Sequence, residues 1–209
     1  MQATTWKDKV VDPSNHWLSA TRAEDDGRLD EAIVYYLRDA SGCLSRGLRA
    51  RAALSCSCAA TCLEKTANTN AARHLYVEAA RMYEAQADAT FGSSIREALW
   101  SLQEAHDFYV AGGESQKAVE VYDRCASLVK KLSPFVTNEK LDEALRIRRD
   151  AQLKPLSFSI PASKSPDVTK AVDDFIRMRE TNVPAVAASP KTPADRTRRR
   201  PSIEKSIVS

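Results

Sequence analysis

Glycine is scarce in this chain, six among 209 residues, and there is no sustained alternation of β-branched and polar residues. Both shortages argue against a sheet protein, whose turns and strands draw on those features. No segment approaches the ~18 consecutive apolar residues that a membrane-spanning helix needs. The N-terminus, Met1 to Lys9, has no apolar signal core, so the reading is of an intracellular, cytoplasmic chain. The five cysteines, Cys43, Cys56, Cys58, Cys62 and Cys125, are odd in number and lie in stretches that read as helix. That argues against a disulfide framework and fits a reducing compartment. Also missing are a Walker phosphate loop, a G-x-G-x-x-G turn and any Glu-x-x-His pair. These gaps remove phosphate-loop and ferritin-like di-metal chemistry. The expectation is a protein that is not an enzyme and needs no cofactor.

What is present is divided unevenly along the chain. Residues 1–154 carry 21 Lys and Arg against 22 Asp and Glu, whereas residues 155–209 carry 10 against 6. Seven of the nine prolines fall from Pro155 onward, among Ser, Thr and Ala. The chain therefore divides into a leader over 1–13, a domain over 14–154 and a basic tail over 155–209, mostly disordered. Within that tail, Ser165-Pro166-Asp167 opens an amphipathic helix over 165–181, with Val168, Ala171, Val172, Phe175, Ile176 and Met178 on its apolar side. That helix either docks within the chain or binds a partner, and the sequence leaves both open.

The domain is organised by a repeated stripe. Ala-x3-Tyr-x3-Ala occurs at Ala32-Tyr36-Ala40, Ala72-Tyr76-Ala80, Ala79-Tyr83-Ala87 and Ala118-Tyr122-Ala126. Residues four apart share a helix face, so each set places a ring between two small side chains that let a neighbouring helix approach. Breaks at Asp26-Gly27, Gly47, Thr66 to Asn70, Phe91 to Ser94 and Gly112-Gly113 separate helices over about 17–25, 31–44, 48–65, 71–89, 95–111 and 115–132. Asp30 is the expected cap of the second, and Ser94 with Glu97 suits a capping box. A further helix from Glu139 to about Leu153 has Leu141, Ala144, Leu145 and Ile147 as its apolar members and reads as a terminal cap. Equating Ala32, Ala72 and Ala118 gives periods of 40 and 46 residues, which indicate an all-α, right-handed solenoid of antiparallel helical hairpins.

The tightest reactive cluster is Cys56-Ser57-Cys58-Ala59-Ala60-Thr61-Cys62. On a helix Cys58 and Cys62 share a face and Cys56 points away, so the cluster offers two converging ligands where zinc needs three or four. Packing as small apolar residues is the reading adopted; a metal or redox helical bundle is the alternative. The six tyrosines, Tyr35, Tyr36, Tyr76, Tyr83, Tyr109 and Tyr122, read as packing between helices. In hairpin solenoids the first helix of each pair lines the concave surface, which puts Arg51, Arg96, Trp100 and Gln103 in position to face a protein partner, with core packing as the competing reading for Trp100. In the tail, Ser189-Pro190 and Thr192-Pro193 suit a proline-directed kinase, and Ser202 follows Arg198-Arg199-Arg200 as a basophilic kinase would require. The tail lacks interleaved aromatic residues, so nucleic-acid binding is not expected.

The spacing Gly-x-Leu-x-Glu-Ala-x3-Tyr-Tyr from Gly27 to Tyr36, and the stretch from Gly113 to Tyr122, resemble the tetratricopeptide pattern. The long periods, with Ala79-Ala80-Arg81-Met82-Tyr83 followed by Ala105-His106-Asp107-Phe108-Tyr109, resemble more closely the soluble NSF attachment proteins. The resemblance covers about residues 14–150. It implies an adaptor that holds helical membrane-fusion bundles, joins an ATPase complex and associates peripherally with membranes. The sequence-based expectation is thus a non-enzymatic adaptor for a helical or extended peptide partner, with a tetratricopeptide scaffold outside trafficking as the alternative.

Overall fold

The structure, a computed structural model, describes residues 15–133, 137–152 and 165–181. Among them are eight helices and no strand. They are α1 His16–Asp25, α2 Leu29–Ser45, α3 Arg49–Lys65, α4 Thr69–Thr90, α5 Ile95–Gly112, α6 Ser115–Leu132, α7 Asn138–Gln152 and α8 Pro166–Thr181. From α1 to α6 each consecutive pair of helices packs together. The leader over 1–13 and the candidate sites Ser189, Thr192 and Ser202 lie outside the described residues.

One turn, used four times, sets this succession. Gly27, Gly47, Ala67 and Gly113 have φ of 75°, 74°, 57° and 83°, the left-handed conformation that ends a helix. The next amide in each case reaches back five residues. Arg28 donates to the Ala23 carbonyl at 2.7 Å, Leu48 to Cys43 at 2.9 Å, Asn68 to Leu63 at 2.8 Å and Glu114 to Tyr109 at 2.9 Å. These bonds close the Schellman motif, and the next helix starts at once. Helix-capping positions Arg28, Leu48, Asn68, Ser94 and Glu114 therefore fall 20, 20, 26 and 20 residues apart. The long interval follows α4, where Phe91 stays right-handed and the chain runs on to Ser94. Ser94 then caps α5, its hydroxyl accepting from the Glu97 amide at 3.3 Å. This is why the two periods in the sequence differ by six residues.

The turn also corrects the expected start of α2. Arg28, not Asp30, is the capping residue, and Asp30 lies inside the first helical turn with Glu31, where negative charge meets the positive end of the helix dipole. Asp30 therefore supports the helix without capping it.

The alanines of all four stripes are buried. Two of the tyrosines between them, and Tyr109 outside the stripes, also hand their hydroxyls to carboxylates of a neighbouring helix. Tyr36 donates to Glu24 at 2.8 Å, and forty residues on Tyr76 donates to Glu64 at 2.9 Å. Tyr109 donates to Glu84 at 2.9 Å. Longer ties join helices two apart. Lys65 reaches Glu24 at 2.6 Å, and Arg124 reaches Glu84 at 2.6 Å and also bonds Asp88. α4 and α5 approach closely at Gly112, where an added Cβ would stand 2.6 Å from Val77 Cγ2 and 3.2 Å from the Arg73 carbonyl.

α7 packs against α5. Of its expected apolar members Leu141 and Leu145 are buried, but Ala144 and Ile147 are exposed. Leu141 and Leu145 are four apart and make one narrow stripe, from which the other two are rotated away. α8 lies against α2 and α4, so its amphipathic face is used within the chain.

Candidate functional site

Between α3 and α5, with α4 behind them, runs an open groove of about 520 Å³. Its α3 wall is Ala50, Arg51, Leu54, Ser57, Cys58 and Thr61, and its α5 wall is Trp100, Glu104, Asp107, Phe108 and Ala111. Both sets follow the three-or-four spacing of a single helix face. The floor is supplied by Tyr76 and Tyr83, which are seven residues apart on α4 and so lie nearly above one another.

The aromatic rings form a continuous ladder. Phe108 stacks on Tyr76 at 5.7 Å with planes 10° apart, and on Tyr83 at 5.9 Å and 11°. Trp100 meets Tyr83 edge-on at 5.5 Å and 87°. Both arrangements are favourable for ring quadrupoles. Despite this contact Trp100 remains 43% exposed, and Leu54 on the facing wall is 40% exposed. Two large apolar side chains thus stand in water over an aromatic floor.

Polar groups occupy fixed places around this surface. The Arg51 guanidinium covers the Trp17 ring at 4.1 Å and its Nε lies 3.4 Å from Asp39 Oδ2. Asp39 is in turn held by the Ser55 hydroxyl at 2.5 Å. These contacts fix Arg51 at the N-terminal end of α3 while leaving it partly in solvent. On α5, Glu104 and Asp107 are buried, and Asp107 pairs with His106 Nδ1 at 3.1 Å. The Tyr76 hydroxyl lies 3.2 Å from Thr61 and donates to Glu64. Burial and the nearby Glu64 charge hold it well above the ordinary phenol range. The groove therefore offers an apolar centre, one cation, two carboxylates and several hydroxyls.

The thiols are not activated. Burial, then the Glu24 carboxylate, pushes Cys58 up to about 11 and Cys62 up to about 12. Burial also raises Cys56, whose thiol donates to the Leu75 carbonyl at 3.3 Å. A nucleophilic or redox cysteine needs the opposite shift. Among the described residues no three His, Cys, Asp or Glu side chains gather in a way that would hold a metal ion.

Of the four residues expected to face a partner, Arg51 and Trp100 are brought together in the groove. Arg96 is exposed and Gln103 half-buried on α5, and neither lines it. They are three or four residues from Trp100, but the α5 face that meets the groove continues through Glu104, Asp107 and Phe108. Tyr76 and Tyr83, expected only to pack between helices, also form the floor. The signal that would have found Leu54, Cys58, Glu104 and Phe108 is the same helical spacing extended from Arg51 and Trp100.

Compared with protein-family models, with curated proteins and with solved structures, the chain gives no match.

Proposed function

We propose that the chain is a non-enzymatic protein–protein adaptor whose α3–α5 groove takes a helical or extended peptide. The observation that carries this reading is the pair Trp100 and Leu54, left exposed across an aromatic floor. Exposed anchors of this kind contribute to a soluble fold mainly when a partner covers them. The groove favours a segment with an apolar or aromatic side chain at its centre and an acceptor toward Arg51.

The repeated turn and the packing of each helix on its sequence neighbours support a right-handed solenoid of antiparallel hairpins, in which α1, α3 and α5 form the concave side. The long periods, with the sets Ala79 to Tyr83 and Ala105 to Tyr109, support the most specific version, an attachment-protein-like adaptor that grips helical bundles in membrane-fusion complexes, acts with an ATPase and sits at membranes peripherally. A scaffold serving another assembly uses the same groove.

The test is selection of displayed random peptides on the immobilised full-length chain. Enriched peptides are expected to bind Trp100→Ala at least about tenfold more weakly, as loss of a central aromatic anchor predicts. Peptides that bind this variant as well as the native chain would place the working surface elsewhere. Adding a purified four-helix fusion bundle as a second ligand separates the trafficking version from a general scaffold.

A further inference from the structure

The packing of α8 points to a second recognition surface, on the opposite side of α4 from the groove. α8 is separated from α7 by the twelve residues 153–164, and it docks on α2 and α4. It buries Val168, Val172 and Phe175, the i, i+4 and i+7 positions of one face. Arg179, at i+11 on the same face, pairs with Glu78 of α4 at 2.9 Å, and both side chains are largely buried. Glu78 is two residues beyond Tyr76, about 200° around the helix, so α8 and the groove contact different faces of α4. An open cleft of about 970 Å³ runs along the seam between α8 and α2, lined by Val34, Arg38 and Ser41 on one side and Lys170, Asp174 and Met178 on the other. The helix is thus held by one apolar row and one ion pair, with room beside it.

We propose that the α2–α4 face is a receptor for an amphipathic helix with apolar residues at i, i+4 and i+7 and an arginine at i+11, and that α8 is its tethered occupant. This is the helix-in-groove mode of recognition, with α8 showing the pattern that the partner must present. Apolar contacts supply most of the adhesion. Glu78 supplies the selection: Arg81 of α4 pairs with its Oε1 at 2.5 Å, and a helix without the arginine would leave Oε2, on the α8 side, buried without its partner. A tether of twelve residues holds its ligand at an effective concentration on the order of millimolar. At micromolar concentration a partner helix must therefore bind about a thousandfold more tightly than the α8 sequence itself, or α8 must first be loosened, before exchange occurs.

The experiment uses the full-length chain with a protease site placed in residues 153–164, and a fluorescent peptide of residues 165–181 as probe. Before cleavage, uptake of the peptide is expected to be weak. After cleavage the helical circular-dichroism signal is expected to persist, and the peptide to enter in exchange for α8, read by anisotropy. An Arg179→Glu peptide is expected to bind on the order of 30-fold or more weakly, and a Phe175→Ala peptide is expected to lose affinity as well. The substitutions are in the probe, so receptor folding does not affect them. Collapse of the helical signal on cleavage would make α8 an integral core element and overturn the proposal. So would exclusion of the peptide, or equal binding of the Arg179→Glu peptide.

Discussion

Replacing Ala67 by glycine is expected to stabilise this helical protein, although glycine is a poor helix former. Ala67 occupies the left-handed position that Gly27, Gly47 and Gly113 occupy in the other three equivalent turns, with φ of 57°. An L-residue with a Cβ loses about 1–2 kcal/mol there relative to its right-handed conformation. Glycine removes that strain but gains conformational freedom in the unfolded chain, which returns about 0.4–1 kcal/mol. The net expectation is about 0.5–1 kcal/mol of stabilisation, a rise in Tm of about 1–4 °C for a chain of this size. The reverse change, Gly47→Ala, is the control. Its Cβ would meet nothing within 4 Å, so any loss comes from the backbone alone and should be about 1 kcal/mol. Chemical denaturation with an unchanged m-value is the assay. If Ala67→Gly destabilises while Gly47→Ala does not, the four turns are not energetically equivalent and the repeated cap does not set the helix spacing.

Three further outcomes are expected. Gly112→Ala should cost about 1–3 kcal/mol, because the new methyl meets the β-branched Val77 and the Arg73 carbonyl; Gly42→Ala, in open space within α2, should stabilise by up to about 1 kcal/mol in the same denaturation assay. Tyr36→Phe should cost about 1–1.5 kcal/mol and Tyr76→Phe about 0.5–1, since the half-buried Glu24 loses more than the exposed Glu64, which returns to water. Stability should fall at alkaline pH: Cys58 is raised to about 11, and Cys62 and Cys125 to about 12, from an ordinary value of 9.0. The folded state holds these thiols protonated, so their contribution is complete below pH 9 and is lost as pH climbs through 11 to 12. Tm should be level from pH 7 to 8.5 and decline beyond it, and a flat profile to pH 10.5 would contradict the burial of these groups.

The sequence carried the helices and their periods because both rest on local chemistry. Small residues four apart mark a close-packed face, and Gly27, Gly47 and Gly113 mark left-handed turns. Thr66 to Asn70 marked the third break of the series, but Ala67 hid its left-handed conformation, since nothing in its side chain announces a positive φ. The Tyr36–Glu24 and Tyr76–Glu64 bonds obeyed the same 40-residue period but needed both partners to be placed on facing helices before the match had meaning. The groove was legible only at its rim. Arg51 and Trp100 are conspicuous residue types, whereas Phe108, Tyr76 and Tyr83 look like ordinary core until three helices are assembled around them. The docking of α8 could not be derived, because an apolar helix face is the same in sequence whether it meets its own chain or another.

Cys58 reports directly on whether the α3–α5 groove is the surface that meets a partner. Cys58 lines the groove and is half-exposed, while Cys43, Cys56, Cys62 and Cys125 are buried. Alkylation of the full-length native chain at pH 9, read by mass spectrometry with and without a captured peptide, therefore measures occupancy at one atom. Cys58 should be the fastest thiol to react in the free protein and should be protected several-fold when the peptide is bound. A peptide that binds tightly yet leaves the Cys58 rate unchanged would contradict that role for the groove.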